Sequence, residues 1–122
     1  MSKKIMVVDD SRIAQLQLEK VLPEGEYEVV ACCQTGEEAL DQYDKVNPDL
    51  VTMDIILPGM DGLEAARALL AAHPEARILM VSSLAYDDTI KEAEALGAKG
   101  FVFKPFDQDQ LLQAMQKAFA EA

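Results

Sequence analysis

The sequence predicts an α/β fold, a doubly wound parallel five-stranded sheet of the (βα)5 type. Three observations predict it. Short apolar runs alternate five times with helical patterns. Two of the runs, Ile5-Met6-Val7-Val8 and Ile78-Leu79-Met80-Val81, are apolar without a break, as strands buried on both faces are. The segments between carry apolar residues at helical spacing and close on helix stop signals.

The strands are expected at Lys4–Val8, Tyr27–Cys32, Leu50–Met53, Ile78–Val81 and Gly100–Phe103. Each is short and mostly β-branched, aromatic or otherwise apolar. After the first strand, Ala14, Leu18, Val21 and Leu22 form a helical stripe that Pro23 ends. After the second, Thr35 and Glu38 have capping-box spacing, and Asn47-Pro48 closes the helix. After the third, Asp61 and Glu64 repeat that spacing, Leu63, Ala66 and Leu70 form the stripe, and His73-Pro74 stops it. His73 reads as a C-terminal cap or a surface residue. The fourth helix opens on Asp87-Asp88 and ends at Gly97. The fifth follows Asp107 and Gln110, with Leu111, Met115, Ala118 and Phe119 as its stripe. Right-handed crossovers follow from the parallel arrangement.

The chain has 122 residues, enough for one core, and no linker or repeat divides it. One domain over 1–122 is expected, with no effector domain. The net charge of −11 argues against nucleic-acid binding, which needs clustered Lys and Arg. No apolar run reaches a membrane-span length, and the N-terminus lacks a signal-peptide pattern. A cytoplasmic monomer, not inserted in a membrane, is the expectation. Cys32 and Cys33 are adjacent, which excludes CxxC chemistry. On a strand they point to opposite faces, with at least one in the core.

In an open α/β sheet, ligands bind beyond the carboxyl ends of the strands. Asp9 and Asp10 follow strand one, Asp54 follows strand three, Ser82 and Ser83 follow strand four, and Lys104-Pro105 follows strand five. Singly, each has an ordinary explanation: Asp10 or Ser11 could cap the first helix, a serine could end a strand. Jointly, three acids, a hydroxyl and an ammonium on one sheet edge point to a site. If strands one and three are neighbours, the acids converge. Two carboxylates about 4 Å apart repel by roughly 4 kcal/mol at an effective dielectric near 20. A hard divalent cation removes that cost, and magnesium favours such oxygen ligands. No cluster of His or Cys competes for a softer metal.

These residues carry a resemblance that spans the chain. Val7-Val8-Asp9-Asp10-Ser11, Asp54-Ile55-Ile56-Leu57-Pro58-Gly59-Met60-Asp61-Gly62, Met80-Val81-Ser82-Ser83, Gly97-Ala98 and Lys104-Pro105-Phe106 are similar to the motifs of receiver domains of two-component response regulators, particularly the single-domain CheY type. The resemblance implies a flavodoxin-like sheet of strand order 2-1-3-4-5. It implies that Asp54 accepts a phosphoryl group from a CheA-like histidine kinase or a small donor such as acetyl phosphate. Asp9, Asp10, Asp54 and the Ile56 backbone carbonyl would hold Mg2+, with Mn2+ able to substitute. Ser82 and Lys104 would bind the phosphoryl oxygens, Ser82 and Phe101 would form the switch, and the Lys104–Pro105 bond would be cis.

Such a protein is a phospho-acceptor that promotes its own phosphorylation, not an enzyme with a turned-over substrate. The surface of helix four, strand five and helix five would meet a downstream protein. A flagellar motor switch protein in chemotaxis is the leading expectation; a phosphorelay intermediate or a non-phosphorylated adaptor is the alternative. The chain also departs from the common pattern. Ser82 stands for a more frequent threonine, and Phe101 lacks the hydroxyl of the frequent tyrosine. Ile56 and Leu84 put apolar side chains beside the path of a hydrolytic water, so slow self-dephosphorylation is expected. A flavin-binding reading is weaker, because Asp9-Asp10 occupies the loop where a phosphate would need Ser, Thr or Gly.

Overall fold

A computed structural model describes residues 2–84 and 86–120. The elements run β1 (Lys3–Val8), α1 (Arg12–Val21), β2 (Tyr27–Cys33), α2 (Gly36–Val46), β3 (Leu50–Met53), α3 (Gly62–Ala72), β4 (Ile78–Ser82), α4 (Asp87–Leu96), β5 (Gly100–Phe103) and α5 (Gln108–Ala120). The strands form one sheet in the order β2-β1-β3-β4-β5, and every pairing is parallel. The expected architecture is therefore present. Three strands are longer than expected by one residue: β1 begins at Lys3, β2 includes Cys33 and β4 includes Ser82. Ser82 thus closes β4, where Phe103 pairs with it, and only Ser83 lies beyond the strand.

The helix boundaries follow from local chemistry. Ser11 caps α1 by accepting from the Ala14 amide, Thr35 caps α2 through Glu38, and Asp61 caps α3 through Glu64. Asp107 and Gln110 bond reciprocally at the start of α5, completing a capping box. The start of α4 has no side-chain cap, and Asp87 and Asp88 in its first turn favour the dipole instead. Asn47 and Gly97 end α2 and α4 in the left-handed conformation. His73 is the C-cap of α3, its ring tilted against that of Tyr43 at 4.4 Å and its Nε2 3.0 Å from Asp44.

The central strands are buried on both faces, which divides the apolar residues into two cores. Met6, Val8, Val51, Met53, Ile78 and Met80 pack under α2, α3 and α4. Ile5, Val7, Leu50, Leu79, Val81 and Val102 pack under α1 and α5 with Leu18, Leu111 and Met115. Cys33 is buried in the first core and Cys32 packs against the second, so the adjacent thiols face opposite ways. Among the described residues no helix is long and apolar enough to cross a membrane.

Candidate functional site

Strand order decides where the chemistry falls. β1 lies between β2 and β3, so the reversal of winding sits at the carboxyl ends of β1 and β3. There the Asp54 amide donates to the Val8 carbonyl at 2.9 Å, which seats the end of β3 beside the acid pair after β1. Asp9, Asp10 and Asp54 each offer a carboxylate oxygen, and these oxygens lie within 4.8 Å of one another. Asp9 and Asp54 are buried and Asp10 is exposed.

Lys104 faces this cluster from the end of β5. Its Nζ lies 2.5 Å from Asp9 Oδ2 and 3.2 Å from Asp54 Oδ2. The Lys104–Pro105 peptide bond is cis. Burial works against the charged ammonium. The hydrogen bond to Asp9 and the charge of Asp54 outweigh it, leaving the Lys104 pKa above the ordinary lysine value. One ammonium among three carboxylates leaves the cluster net negative. At 4.8 Å and an effective dielectric of about 20, one carboxylate pair still repels by about 3.5 kcal/mol. The donor set is all oxygen, clustered and under-neutralised, which fits a hard divalent cation.

The remaining expected residues take different places. Ser82 is fully buried, and its hydroxyl accepts from the Leu84 amide at 3.3 Å. Its carbonyl accepts from the Lys104 amide at 3.0 Å, so the ends of β4 and β5 are tied together. The Ile56 amide donates to Asp54 Oδ1 at 3.4 Å while its side chain stands exposed beside the cluster. Leu84 packs against the first core. Phe101 is half-buried on the α4 side and tilts against the exposed Phe103 at 5.2 Å.

Two residues that shape the site drew no role from sequence patterning, although Gly62 closes the motif that begins at Asp54. Gln15 on α1 is buried and hydrogen-bonds the backbone at the ends of both β1 and β2. Gly62 opens α3 directly against the Asp54 backbone, where a Cβ would have no room. A glutamine in a mixed helical stripe looks like surface. A glycine at the end of Pro58-Gly59-Met60-Asp61-Gly62 looks like part of a turn.

The comparisons with known proteins agree on one family. The model of the response regulator receiver domain matches residues 5–116. The chemotaxis protein CheY of Listeria monocytogenes is 39% identical over 115 residues, covering 94% of this chain and 97% of the relative. That of Bacillus subtilis is 37% identical over 117 residues, covering 96% and 98%. A crystal structure of the CheX–CheY–BeF3–Mg complex from Borrelia burgdorferi superimposes with a TM-score of 0.92 at 30% identity, covering 98% of this chain and 90% of that one.

Proposed function

The chain belongs to the response regulator receiver domain family, and on that premise we propose that it is a phospho-switch whose acceptor is Asp54. The observation that carries this is the placement of Asp54. Asp9 and Asp54 are both buried, both touch Lys104 and both share the oxygen cluster with Asp10. The Asp9 oxygens are held at 2.9 and 2.5 Å, while those of Asp54 are held only at 3.4 and 3.2 Å, which leaves Asp54 the freer to attack. Receiver domains are phospho-acceptors with weak autophosphatase activity.

In the proposed step an Asp54 carboxylate oxygen attacks the donor's phosphorus. The bond from phosphorus to the donor nitrogen or oxygen breaks, and its electron pair leaves with the donor. Lys104 Nζ is positioned to meet charge on the transferred oxygens, and the Ile56 amide already points at an Asp54 oxygen. Asp9, Asp10, Asp54 and the Ile56 carbonyl would hold Mg2+. When bound, that ion supplies neutralisation of the charge gathered between acceptor and phosphoryl group. Ser82 would release the Leu84 amide and bond a phosphoryl oxygen instead. Ile56 and Leu84 offer no polar group to orient a hydrolytic water, which supports a long-lived aspartyl phosphate.

Moving a two-state surface from 1:99 to 99:1 needs about 5.5 kcal/mol of differential interaction. One new charge-assisted hydrogen bond gives about 1.5–3 kcal/mol. Ser82 alone is therefore insufficient, and Lys104 and the metal must also discriminate between the states. Phe101 is the proposed packing element, moving between β4 and α4 as Ser82 shifts. The α4–β5–α5 face is the proposed output surface.

The Listeria and Bacillus relatives are chemotaxis proteins, and the Borrelia CheY was crystallised with CheX, BeF3 and Mg. They support a role in chemotaxis; a CheA-like histidine kinase is the proposed donor and a flagellar motor switch protein the proposed target. The matches cover 97% and 98% of the Listeria and Bacillus relatives' own lengths.

The test is intact mass after incubation with magnesium and acetyl phosphate. Wild type is expected to gain about 80 Da, one phosphoryl group, only with magnesium. Asp54→Ala is expected to gain nothing. No gain in wild type, repeated with a cognate histidine kinase, would replace this reading with that of a non-phosphorylated adaptor.

A further inference from the structure

Asp9 is bonded at every polar atom. Its amide donates to the Cys33 carbonyl at 2.9 Å, Oδ1 accepts from the Ser11 amide at 2.9 Å, and Oδ2 accepts from Lys104. Its carbonyl accepts from Gln15 Nε2 at 2.8 Å. The same nitrogen donates to the Cys33 carbonyl at 3.0 Å, and Gln15 Oε1 accepts from Arg12 Nη1 at 2.9 Å. Both amide hydrogens of Gln15 are thus used, and its side chain is 1% exposed.

That carbonyl belongs to the peptide joining Asp9 to Asp10. Turning the peptide plane would swing Asp10 relative to Asp9 and Asp54, whose carboxylates now lie within reach of one ion. We infer that Gln15 is a positioning residue for the acid cluster: it locks the Asp9–Asp10 peptide and thereby sets the spacing of the carboxylates that take a divalent cation. The inference rests on the reading of these acids as a metal-dependent acceptor site. A buried amide is suited to the task. It donates twice without adding charge beside three acids. Without it the Asp9 carbonyl would be orphaned at this depth, while the Cys33 carbonyl would keep only the Asp9 amide.

The test compares wild type, Gln15→Met, Gln15→Glu and Leu18→Ala. Met keeps the length of Gln and loses both donors. An ionised Glu sets oxygen against two carbonyls. Leu18 is buried on the same helix and makes none of these bonds. Two quantities are read: Mg2+ affinity by calorimetric titration, and amide hydrogen exchange of Asp9 and Ser11 in metal-free protein. Gln15→Met is expected to bind Mg2+ about five- to tenfold more weakly, matching loss of one buried hydrogen bond. The added charge of Gln15→Glu attracts the cation, so that variant is read by exchange. Asp9 and Ser11 amides should exchange about tenfold faster relative to those of β3. Leu18→Ala should speed exchange generally and keep wild-type affinity.

Unchanged relative exchange at Asp9 and Ser11 in the Gln15 variants would overturn the inference. So would an equal loss of affinity in Leu18→Ala, which would reduce the effect to helix stability. Failure of wild type to bind Mg2+ would instead overturn the metal reading, and exchange alone would then decide whether Gln15 holds the peptide.

Discussion

A Cβ placed on Gly62 would lie 1.9 Å from the carbonyl oxygen of Asp54. Nothing flexible stands in that contact; it is backbone against backbone, and the Gly62 amide is simultaneously bonded to the Ile55 carbonyl at 2.8 Å. Gly62→Ala must therefore displace either the start of α3 or Asp54, the proposed acceptor. Overpacking of this kind costs about 1–3 kcal/mol, and a contact this short belongs at the upper end. The urea midpoint of Gly62→Ala should fall accordingly. Phosphoryl uptake by the folded fraction should fall too, because Asp54 moves with its carbonyl. A variant with wild-type stability and uptake would show that the loop has an alternative path.

Lys104 gives the second prediction. Its raised pKa means its ion-pair contribution is fully present below the ordinary lysine value of 10.5 and is lost as pH rises through the still higher folded value. At neutral pH it is intact. Lys104→Met leaves two buried carboxylates without their cation, and metal-free stability should drop by about 2 kcal/mol. Mg2+ should bind more tightly, because a competing positive charge has gone, and should restore part of the stability. Phosphoryl uptake should nevertheless fail. Weaker Mg2+ binding in Lys104→Met would mean that Lys104 orders the carboxylates more than it competes for them.

Much of this arrangement was legible in the residues. Continuous apolar runs identified β1 and β4, and reading one position past each strand brought Asp9, Asp10, Asp54 and Lys104 together. What periodicity does not carry is which polar side chain inside a helix turns inward. Gln15 occupies such a position, and only the proximity of two strand ends gives it partners. Nor could sequence show that Lys104 would rest on Asp9 as well as on Asp54, since that depends on how far β5 stands from β1 across β3 and β4. Ser82 illustrates a boundary effect. One extra strand pair, with Phe103, moved it from the loop into β4.

Thr52 offers a third prediction. It lies in β3 between Val7 and Leu79, is 1% exposed, and its hydroxyl has no partner among the described residues. An orphaned buried hydroxyl costs about 1–3 kcal/mol. Thr52→Val keeps the β-branched shape and removes the orphan. The variant should be more stable by about 1 kcal/mol in urea unfolding. A loss of stability would show that a buried water serves the hydroxyl.

The last prediction concerns Cys33. Burial above all, with the charge of Glu38 and the neighbouring Cys32 behind it, pushes this thiol from 9.0 up to about 12. The folded protein thus holds the proton that the unfolded chain releases. By linkage, stability is unaffected below the ordinary value of 9.0 and falls between there and about 12. The slope is at most about 1.4 kcal/mol per pH unit. Other groups titrate in that range, so the measurement is a difference: wild type against Cys33→Ala, by urea unfolding at about pH 8 and about pH 10. Whatever packing Cys33→Ala loses is the same at both values. Wild type should lose about 1 kcal/mol more than the variant on going to the higher pH. Alkylation gives an independent reading: native protein should label at the half-buried Cys32 first, and Cys33 only on unfolding. Parallel pH profiles with rapid native labelling of both thiols would mean that the end of β2 opens locally, and with it the carbonyl that Asp9 and Gln15 share.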